Sequence, residues 1–167
     1  PWKVTLIDTG LNTMTGGRLK KIKRYLNDED FFFTYGDGVS DVNIYDLFNF
    51  HKSHGKKATV TAVKPPGRFG ALDLGGNNSV IGFTEKPKGD GNWVNGGFFV
   101  LNPSVIDEIH GSNTIWEKEP LSALASSNNL RAFKHNGFWH PMDTLRDKVY
   151  LESLISDREA HWLKWEK

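Results

Sequence analysis

An uninterrupted apolar and aromatic run, Phe31 to Tyr35, is followed by an aspartate with a glycine on each side, Asp37. Such a run predicts a strand that is buried on both faces, as in a mainly parallel sheet. Ligands of open α/β sheets bind beyond the carboxyl ends of the strands, which is where Gly36 and Asp37 would lie. A carboxylate there is a candidate ligand for Mg²⁺, which takes one or two carboxylates together with substrate phosphates. The alternative is a turn aspartate that hydrogen-bonds the next amides.

Strand-like and helix-like patterns alternate along the rest of the chain. Short apolar or β-branched runs predict strands at Val4–Ile7, Ala58–Val63, Gly97–Leu101, Leu130–Phe133 and Gly137–His140. Apolar residues at helical spacing predict helices at Gly17–Leu26, from the N-cap Asp41 to Gly55, after Ser104, after Pro120 and at Thr144–Ile155. This alternation of strands and helices predicts an α/β fold.

A hairpin signal interrupts that alternation. Two strand-like runs, Phe69–Leu74 and Ser79–Thr84, flank the turn sequence Gly75–Asn78. The expected architecture is therefore a mixed sheet with one inserted β-hairpin. Because the sequence shows no internal repeat, low-complexity segment or linker, residues 1–167 are predicted to form a single domain.

The composition narrows the functional classes. With 38% hydrophobic and 13% aromatic residues, the chain is predicted to be globular rather than disordered. The 21 basic and 20 acidic side chains give a net charge of +1, so there is no electrostatic case for a nucleic-acid partner or a membrane surface. The absence of cysteine excludes disulfides and thiolate chemistry and favours a cytoplasmic location. No apolar run is long enough to predict a membrane span.

Two further polar clusters are candidates for substrate binding. Thr15, Gly16 and Gly17 precede a helix, whose free N–H groups suit an anion or a carbonyl oxygen. The alternative is an ordinary helix start with Thr15 as its cap. Lys86 follows Glu85 just after a predicted strand, where it is either a phosphate-binding lysine or an ordinary surface lysine.

Two more clusters lie at the ends of predicted elements. Asn95, Gly96 and Gly97 open an apolar strand, and the successive glycines indicate either close approach of a ligand or a β-bulge. Asp143 precedes the last helix, where it is either a helix cap or a second metal ligand facing Asp37.

The histidines and tryptophans add no further catalytic pattern. The six histidines have no metal-ligand spacing, and His51 and His54 are interpreted as surface residues. Trp116 and Trp139 are interpreted as core or interface residues rather than platforms for a sugar ring. Neither a nucleophile elbow nor a Walker loop is present.

Taken in order, seven segments resemble the sugar-nucleotide pyrophosphorylases, a family of nucleotidyltransferases. They are VTLIDTG from Val4, MTGGRLK from Met14, FTYGDGVSD from Phe33, PPGRFGALD from Pro65, EKPKGDG from Glu85, NGGFFVLNPSVID from Asn95 and MDTLRDKVYLE from Met142. Each segment alone is a weak signal, whereas seven in the same order are specific and cover nearly the whole chain. The resemblance points to the branch of the family that uses CTP and glucose 1-phosphate.

The resemblance implies a reaction and the residues that carry it. CTP and glucose 1-phosphate would give CDP-glucose and pyrophosphate, a reaction that feeds dideoxysugar synthesis for bacterial surface polysaccharide. Asp37 and Asp143 match the two aspartates that hold Mg²⁺ in the family. Lys86 matches the lysine that binds the sugar 1-phosphate, with Glu85 beside it on the sugar hydroxyls.

The resemblance also implies a Rossmann-like mixed sheet and a substrate pocket at its edge. Gly36 would contact substrate beside Asp37. The sugar-pocket segment of the family corresponds to Asn95, Gly96 and Gly97. The segment that lines the nucleotide base and ribose corresponds to Thr15, Gly16, Gly17 and Arg18.

The start of the chain departs from the family pattern. The family begins with a strand and a glycine-rich G-G-x-G-T-R loop around the triphosphate, and this sequence shows neither. The chain is thus similar to the C-terminal two-thirds of such an enzyme, without the N-terminal βα unit. Residues 1–167 alone are expected to bind nucleotide poorly, to lack activity and to self-associate, and the family implies a homo-oligomer. Two alternatives stay open: a pyrophosphorylase for another nucleotide, and a non-catalytic sugar-nucleotide-binding or assembly module.

Overall fold

A computed structural model describes residues 1–65, 71–84 and 92–163. The chain forms two compact units, each assembled from three separate segments. Unit 1 comprises Pro1–Phe33, Phe48–Thr59 and Phe99–Arg131, and unit 2 comprises Thr34–Leu47, Val60–Phe98 and Ala132–Lys167. The single catalytic domain expected from the sequence stays a prediction.

The secondary structure follows the alternation that the sequence predicted. The helices are α1 Thr15–Lys21, α2 Ile44–His54, α3 Glu119–Ser126 and α4 Leu145–Ser156. The strands are β1 Phe31–Thr34, β2 Gly38–Ser40, β3 Ala58–Val63, β4 Ala71–Leu74, β5 Val80–Thr84, β6 Val94–Leu101, β7 Leu130–Lys134 and β8 Trp139–Pro141. Short 3₁₀ helices cover Lys23–Tyr25, Gly76–Asn78 and Pro103–Glu108.

The described strands form one four-stranded sheet and two two-stranded sheets. The larger sheet has the strand order β1-β6-β3-β7. Strand β2 pairs with β8, and β4 pairs with β5, both in antiparallel fashion. The predicted mixed α/β fold and its inserted hairpin are therefore confirmed. Strand β2 is an addition, because its short polar and glycine-rich sequence gave no strand pattern.

The hairpin β4–β5 turns where the sequence predicted. Ala71 pairs with Thr84 at its open end. Asn77 and Asn78 in the turn have φ angles of 56° and 59°, and asparagine is among the few residues besides glycine that tolerate this left-handed region. The first two residues of the predicted strand, 69–70, lie outside the described residues.

The core of unit 1 is built around three aromatic rings. The ring centroids of Phe33 and Phe99 are 5.6 Å apart, and that of Trp116 lies 6.1 Å from Phe33 and 6.0 Å from Phe99. Such tilted and edge-on contacts are the favoured geometry for aromatic pairs. The other buried apolar side chains of this unit are Leu19, Ala58, Val100, Leu101, Val105, Ile106, Ile109 and Leu124.

Unit 2 has a smaller set of buried side chains among the described residues, and it contains helix α4 and the capped start of α2. The buried residues are Leu47, Thr61, Ala62, Val63 and Leu151. Helix α4 begins with a capping box, in which Thr144 and Asp147 each accept a hydrogen bond from the backbone N–H of the other. Asn43 Oδ1 accepts the Tyr45 N–H at 2.9 Å at the start of α2. The prediction of Asp41 as the cap of α2 is therefore wrong.

The predicted strand at Val4–Ile7 is not formed. Residues 1–10 have no regular secondary structure, and the side chains of Val4 and Leu6 are 73% and 92% exposed. A strand needs a neighbour to satisfy its backbone N–H and C=O groups, and no described strand pairs with this segment. The apolar pattern alone was therefore not enough to make a strand.

Strand β1 is not buried on both faces, as its apolar run predicted. Intermediate and exposed residues alternate along it, and Phe32 is 52% exposed. Successive side chains of a strand point to opposite faces. Phe33 therefore enters the aromatic core, while Phe32 packs only partly, with its ring 5.8 Å from that of Phe48.

The predicted helices are present with shifted ends. Helix α1 ends at Lys21 rather than Leu26, and a 3₁₀ turn follows it. The helix expected after Ser104 is the 3₁₀ helix Pro103–Glu108. Among the described helices, none has the length and apolar character needed to cross a membrane.

Candidate active site

Strands β2 and β8 bring the two predicted metal ligands to the same end of a two-stranded ribbon. Gly38 pairs with Pro141 in the antiparallel register. One residue further on, the N–H of Met142 donates to the carbonyl oxygen of Asp37 at 2.7 Å. Asp143 directly follows this hydrogen-bonded pair, so the two aspartates that are 106 positions apart in the sequence share one end of the ribbon.

Both aspartate side chains are exposed and have no protein partner in the described part of the chain. The cap of α4 is Thr144, with Asp147 closing the capping box, so Asp143 is not the helix cap. The carboxylate of Asp37 likewise makes no hydrogen bond to the amides that follow it. The two structural alternatives for these aspartates are therefore not supported, and both carboxylates are free to bind a cation.

Magnesium binding by the two aspartates stays a prediction, and their chemistry is compatible with an ion that is bound together with a substrate. Within residues 1–65, 71–84 and 92–163, no group of three or more histidine, aspartate or glutamate side chains could hold a metal ion alone. Mg²⁺ commonly takes only one or two carboxylates from the protein and fills its octahedral shell with waters and substrate phosphates. The hard oxygen atoms of Asp37 and Asp143 match that requirement.

The predicted sugar-pocket segment lies in the first half of β6, where the backbone bends sharply. Asn95 Oδ1 accepts the Gly97 N–H at 2.8 Å, and Gly97 has a φ of 79°, which disfavours any side chain. An added Cβ would lie 2.7 Å from the Tyr35 ring at Gly97 and 2.8 Å from Val63 at Gly96. Local packing thus explains both glycines, and sugar binding by this segment stays a prediction.

Trp139 connects the aspartate-bearing ribbon to the same segment. Its indole Nε1 donates to the carbonyl oxygen of Gly96 at 2.8 Å. The tryptophan pattern of the sequence predicts Trp139 in the core or an interface and does not reveal this polar contact. Its position on β8, four residues before Asp143, was the available signal. The hydrogen bond makes the ribbon and the segment Asn95–Gly97 one connected structure within unit 2.

Gly36, Glu85 and Lys86 are the remaining residues predicted for this site. Gly36 is exposed, and an added Cβ would meet no atom within 4 Å. The fold therefore leaves open space directly beside Asp37, as a substrate contact would require. Glu85 and Lys86 lie outside the described residues, so their roles on the sugar phosphate stay predictions.

Thr15, the first residue of the predicted base-binding segment, is committed to contacts within unit 1. Its hydroxyl accepts the Trp116 N–H at 2.9 Å and donates to Glu117 Oε2 at 2.7 Å. The N-cap position of α1 is Met14, which makes no side-chain capping bond. The alternative interpretation of Thr15 as the helix cap is therefore wrong, and its hydroxyl joins α1 to the segment before α3.

The two glycines after Thr15 allow α1 to pack closely against the loop 112–114. An added Cβ on Gly16 would lie 2.9 Å from the Thr114 carbonyl oxygen, and one on Gly17 would overlap the Ser112 carbonyl oxygen. The Gly17 N–H donates to the Thr114 carbonyl oxygen at 3.2 Å. Helix packing thus accounts for both glycines, and this N–H is not free to bind an anion.

Arg18 turns back onto the segment that precedes α1. Its guanidinium donates to Thr9 Oγ1 and to the Leu11 carbonyl oxygen, and the Lys21 ammonium donates to the Thr9 carbonyl oxygen at 2.9 Å. These contacts stabilise the turn at Gly10, which has a φ of 86°. Nucleotide binding by residues 15–18 stays a prediction.

The fold and this site together define a class of protein. An α/β fold in which two aspartates without a partner among the described residues share one end of the β2–β8 ribbon is suited to metal-assisted chemistry on phosphates. The family model for nucleotidyl transferases matches residues 8–147, and the chain belongs to this family.

Sequence similarity to individual nucleotidyltransferases agrees with this family membership. Glucose-1-phosphate cytidylyltransferase of Salmonella typhimurium is 61% identical over 167 residues, covering 99% of this chain and 65% of that protein. “Probable glucose-1-phosphate cytidylyltransferase” of Bacillus subtilis is 38% identical over 165 residues, 98% of this chain and 64% of that protein. The chain therefore spans slightly less than two-thirds of the length of these relatives.

A solved structure shows the same fold. HddC from Yersinia pseudotuberculosis superposes with a TM-score of 0.59 at 18% identity, over 84% of this chain and 61% of the other. At that identity the similarity extends to the fold alone.

Proposed function

We propose that the full-length protein carrying this chain transfers a cytidylyl group from CTP to glucose 1-phosphate, releasing pyrophosphate. The identity of 61% over 99% of the chain to a glucose-1-phosphate cytidylyltransferase supports these substrates. The structural observation that carries the proposal is the pair of exposed carboxylates, Asp37 and Asp143, at one end of the β2–β8 ribbon without a protein partner among the described residues.

The reaction needs alignment and charge neutralisation more than acid–base catalysis. The second pKa of a phosphate monoester is about 6, so the phosphate oxygen of the sugar is already anionic near pH 7. That oxygen would form a bond to the α-phosphorus of CTP while the bond between this phosphorus and the pyrophosphate oxygen breaks. The reaction therefore does not require a general base, since positioning and electrostatics dominate phosphoryl-type catalysis.

The proposed residues divide that work between them. Asp37 and Asp143 would hold Mg²⁺, which supplies Lewis-acid neutralisation of phosphate charge when it is bound. Lys86 would place its ammonium on the phosphate of glucose 1-phosphate, with Glu85 on the sugar hydroxyls. Asn95, on β6, would contact the sugar.

A substrate panel on the full-length protein tests the proposal. Pyrophosphate release is measured with glucose 1-phosphate and each of CTP, UTP, dTTP and GTP, with and without Mg²⁺. We expect CTP to give the highest kcat/KM by at least about tenfold, which corresponds to about 1.4 kcal/mol of discrimination, and EDTA to abolish the release.

Two other outcomes would contradict the proposal in different ways. A higher kcat/KM with another nucleotide would support nucleotidyl transfer to glucose 1-phosphate but would contradict the specificity for CTP. Binding of CDP-glucose without turnover of any nucleotide would instead favour a non-catalytic binding or assembly module. The homo-oligomer implied by the family can be measured on the same sample by light scattering.

A further inference from the structure

Three residues from three different strand ends meet in unit 2 at Trp93. Lys64 directly follows β3, Lys134 is the last residue of β7, and Trp93 directly precedes β6. The Lys64 Nζ lies 5.0 Å and the Lys134 Nζ 5.6 Å from the centroid of the Trp93 ring. The His135 N–H donates to the Ala62 carbonyl oxygen at 2.9 Å and so joins the ends of β7 and β3 beside this cluster.

No acidic side chain among the described residues pairs with either of the two ammonium groups. Both lysines are exposed, and neither makes an ion pair or a hydrogen bond within the part of the chain that the structure describes. A cation–π contact is worth only about 0.5–1 kcal/mol at an exposed site, and the ring has no net charge. Because both Nζ atoms contact one ring, they are at most about 11 Å apart, so both charges contribute to the electrostatic potential at an anion bound beside the ring.

The cluster of Lys64, Trp93 and Lys134 lies close to a residue that is proposed to bind the sugar substrate. Trp93 lies two residues before Asn95, a step of about 7 Å along an extended chain. The cluster is therefore at the edge of the segment proposed to bind the sugar. Every substrate and product of the proposed reaction carries phosphate, and lysine ammonium groups act as point charges for phosphate oxygens.

We propose that Lys64 and Lys134, held in place by the Trp93 ring, form a phosphate-binding subsite beside Asn95. This inference rests on the proposed function and extends it. The phosphate group belongs either to glucose 1-phosphate or to CTP and the pyrophosphate released from it. Both sources present anionic phosphate oxygens to the lysines.

Calorimetric binding to the full-length protein tests the subsite without any need for turnover. Glucose 1-phosphate and inorganic pyrophosphate are titrated separately into the wild type, K64M, K134M and the double variant. Lys148→Met is the matched control, because Lys148 is exposed on α4 and pairs only with Glu152 among the described residues. We expect the double variant to bind one of the two anions at least about tenfold more weakly, and the control to bind both like the wild type.

The two sources of phosphate give different results. A loss confined to glucose 1-phosphate assigns the subsite to the sugar phosphate, and a loss confined to pyrophosphate assigns it to the nucleotide side. The wild-type affinity should also fall more steeply with added salt than that of the double variant, since two exposed charges have been removed. Lysine-to-arginine variants retain the charge and should bind within a few fold of the wild type.

Two results would overturn the inference. One is a double variant that binds both anions as tightly as the wild type, and the other is a wild-type protein that binds neither anion. Turnover is measured separately on the same samples. Absence of turnover with CTP and glucose 1-phosphate contradicts the proposed function, whereas binding that is independent of the lysines contradicts the subsite.

Discussion

The indole Nε1 of Trp139 donates a hydrogen bond to the carbonyl oxygen of Gly96 at 2.8 Å. Trp139 belongs to β8, which leads into Asp143, and Gly96 is in the middle of the proposed sugar-binding segment. Through this contact, the position of the aspartate-bearing ribbon depends on the position of β6. If the β2–β8 ribbon and β6 bind the same substrates, loss of this hydrogen bond should weaken substrate binding.

The Trp139→Phe variant should separate this positioning role from a purely structural one. It keeps most of the ring but leaves the Gly96 carbonyl without its donor, which should lower the free energy of unfolding by about 1–3 kcal/mol. We expect KM for glucose 1-phosphate to rise several-fold in the full-length protein, with KM for CTP changed less. Equal increases in both KM values would contradict a specific effect on the sugar segment.

The metal assignment predicts a loss of activity without a loss of stability. Asp37→Asn and Asp143→Asn remove exposed charges that have no partner among the described residues, so Tm should change little. The kcat of the full-length protein should fall at least about 100-fold, because the carboxylates would no longer hold Mg²⁺ against the substrate phosphates.

The matched control for these variants is Asp73→Asn, since Asp73 is also exposed in unit 2 but lies on the β4–β5 hairpin. Its kcat should stay within about twofold of the wild type, as expected for a surface substitution away from the site. A near-normal kcat for either the Asp37→Asn or the Asp143→Asn variant at saturating Mg²⁺ would contradict the assignment of these aspartates as metal ligands.

The local elements of this fold were predictable from the sequence, whereas the pairing of distant strands was not. Strand β3 has the predicted bounds, because six β-branched and small apolar residues specify it directly. Strand β2 was missed because Gly38–Ser40 becomes a strand only by pairing with β8, about 100 residues later. The prediction of a strand at Val4–Ile7 was wrong because this segment has the apolar pattern of a strand but no described strand pairs with it.

The same distinction applies to the glycines of the candidate site. The pair Gly96 and Gly97 indicated close approach of a ligand or a β-bulge, whereas Gly16 and Gly17 were interpreted as part of an anion-binding helix start. The structure shows protein atoms there: the loop 112–114 at Gly16 and Gly17, and the Tyr35 ring at Gly97. For Asp37 and Asp143 the structure gives a position at one end of the β2–β8 ribbon, while their binding of a metal ion stays a prediction.

The packing role of Gly17 can be measured directly. Gly17→Ala would place a methyl group against the Ser112 carbonyl oxygen, and overpacking of this kind costs about 1–3 kcal/mol of unfolding free energy. Gly111→Ala is the control, because an added Cβ at Gly111 meets no atom within 4 Å. A Gly17→Ala variant as stable as Gly111→Ala would show that α1 does not need this close approach.

The stability of unit 1 should depend on pH through two histidines that share one hydroxyl group. His51 Nδ1 and His54 Nε2 each lie 2.8 Å from Thr59 Oγ1. A hydroxyl group has one proton to donate and two lone pairs that accept, so the tautomers of the two rings decide which nitrogen donates and which accepts. The prediction of His51 as a surface residue is wrong, since it is 3% exposed. Burial lowers the pKa of His51 and also that of His54.

A lowered histidine pKa fixes the direction of the pH effect. The unfolded chain takes up protons as the pH falls through about 6.5, while the folded chain does so only at lower pH, so the free energy of unfolding decreases in that window. Asp30 also contributes to the free energy of unfolding, but its carboxylate titrates below this pH window. Burial raises its pKa, but hydrogen bonds from Lys52 and Asn102 outweigh this and lower it from 3.8, so its contribution is lost only in stronger acid.

Urea unfolding at pH 7.5 and pH 5.0 tests this interpretation. The wild type should be less stable at pH 5.0. His51→Gln should be less stable than the wild type at pH 7.5 but should lose less stability between the two pH values, because the buried titrating ring is gone. His54→Gln should show the same change to a smaller extent, since His54 is the less buried of the two. Equal losses of stability in the wild type and His51→Gln would rule out His51 as the source of the pH dependence.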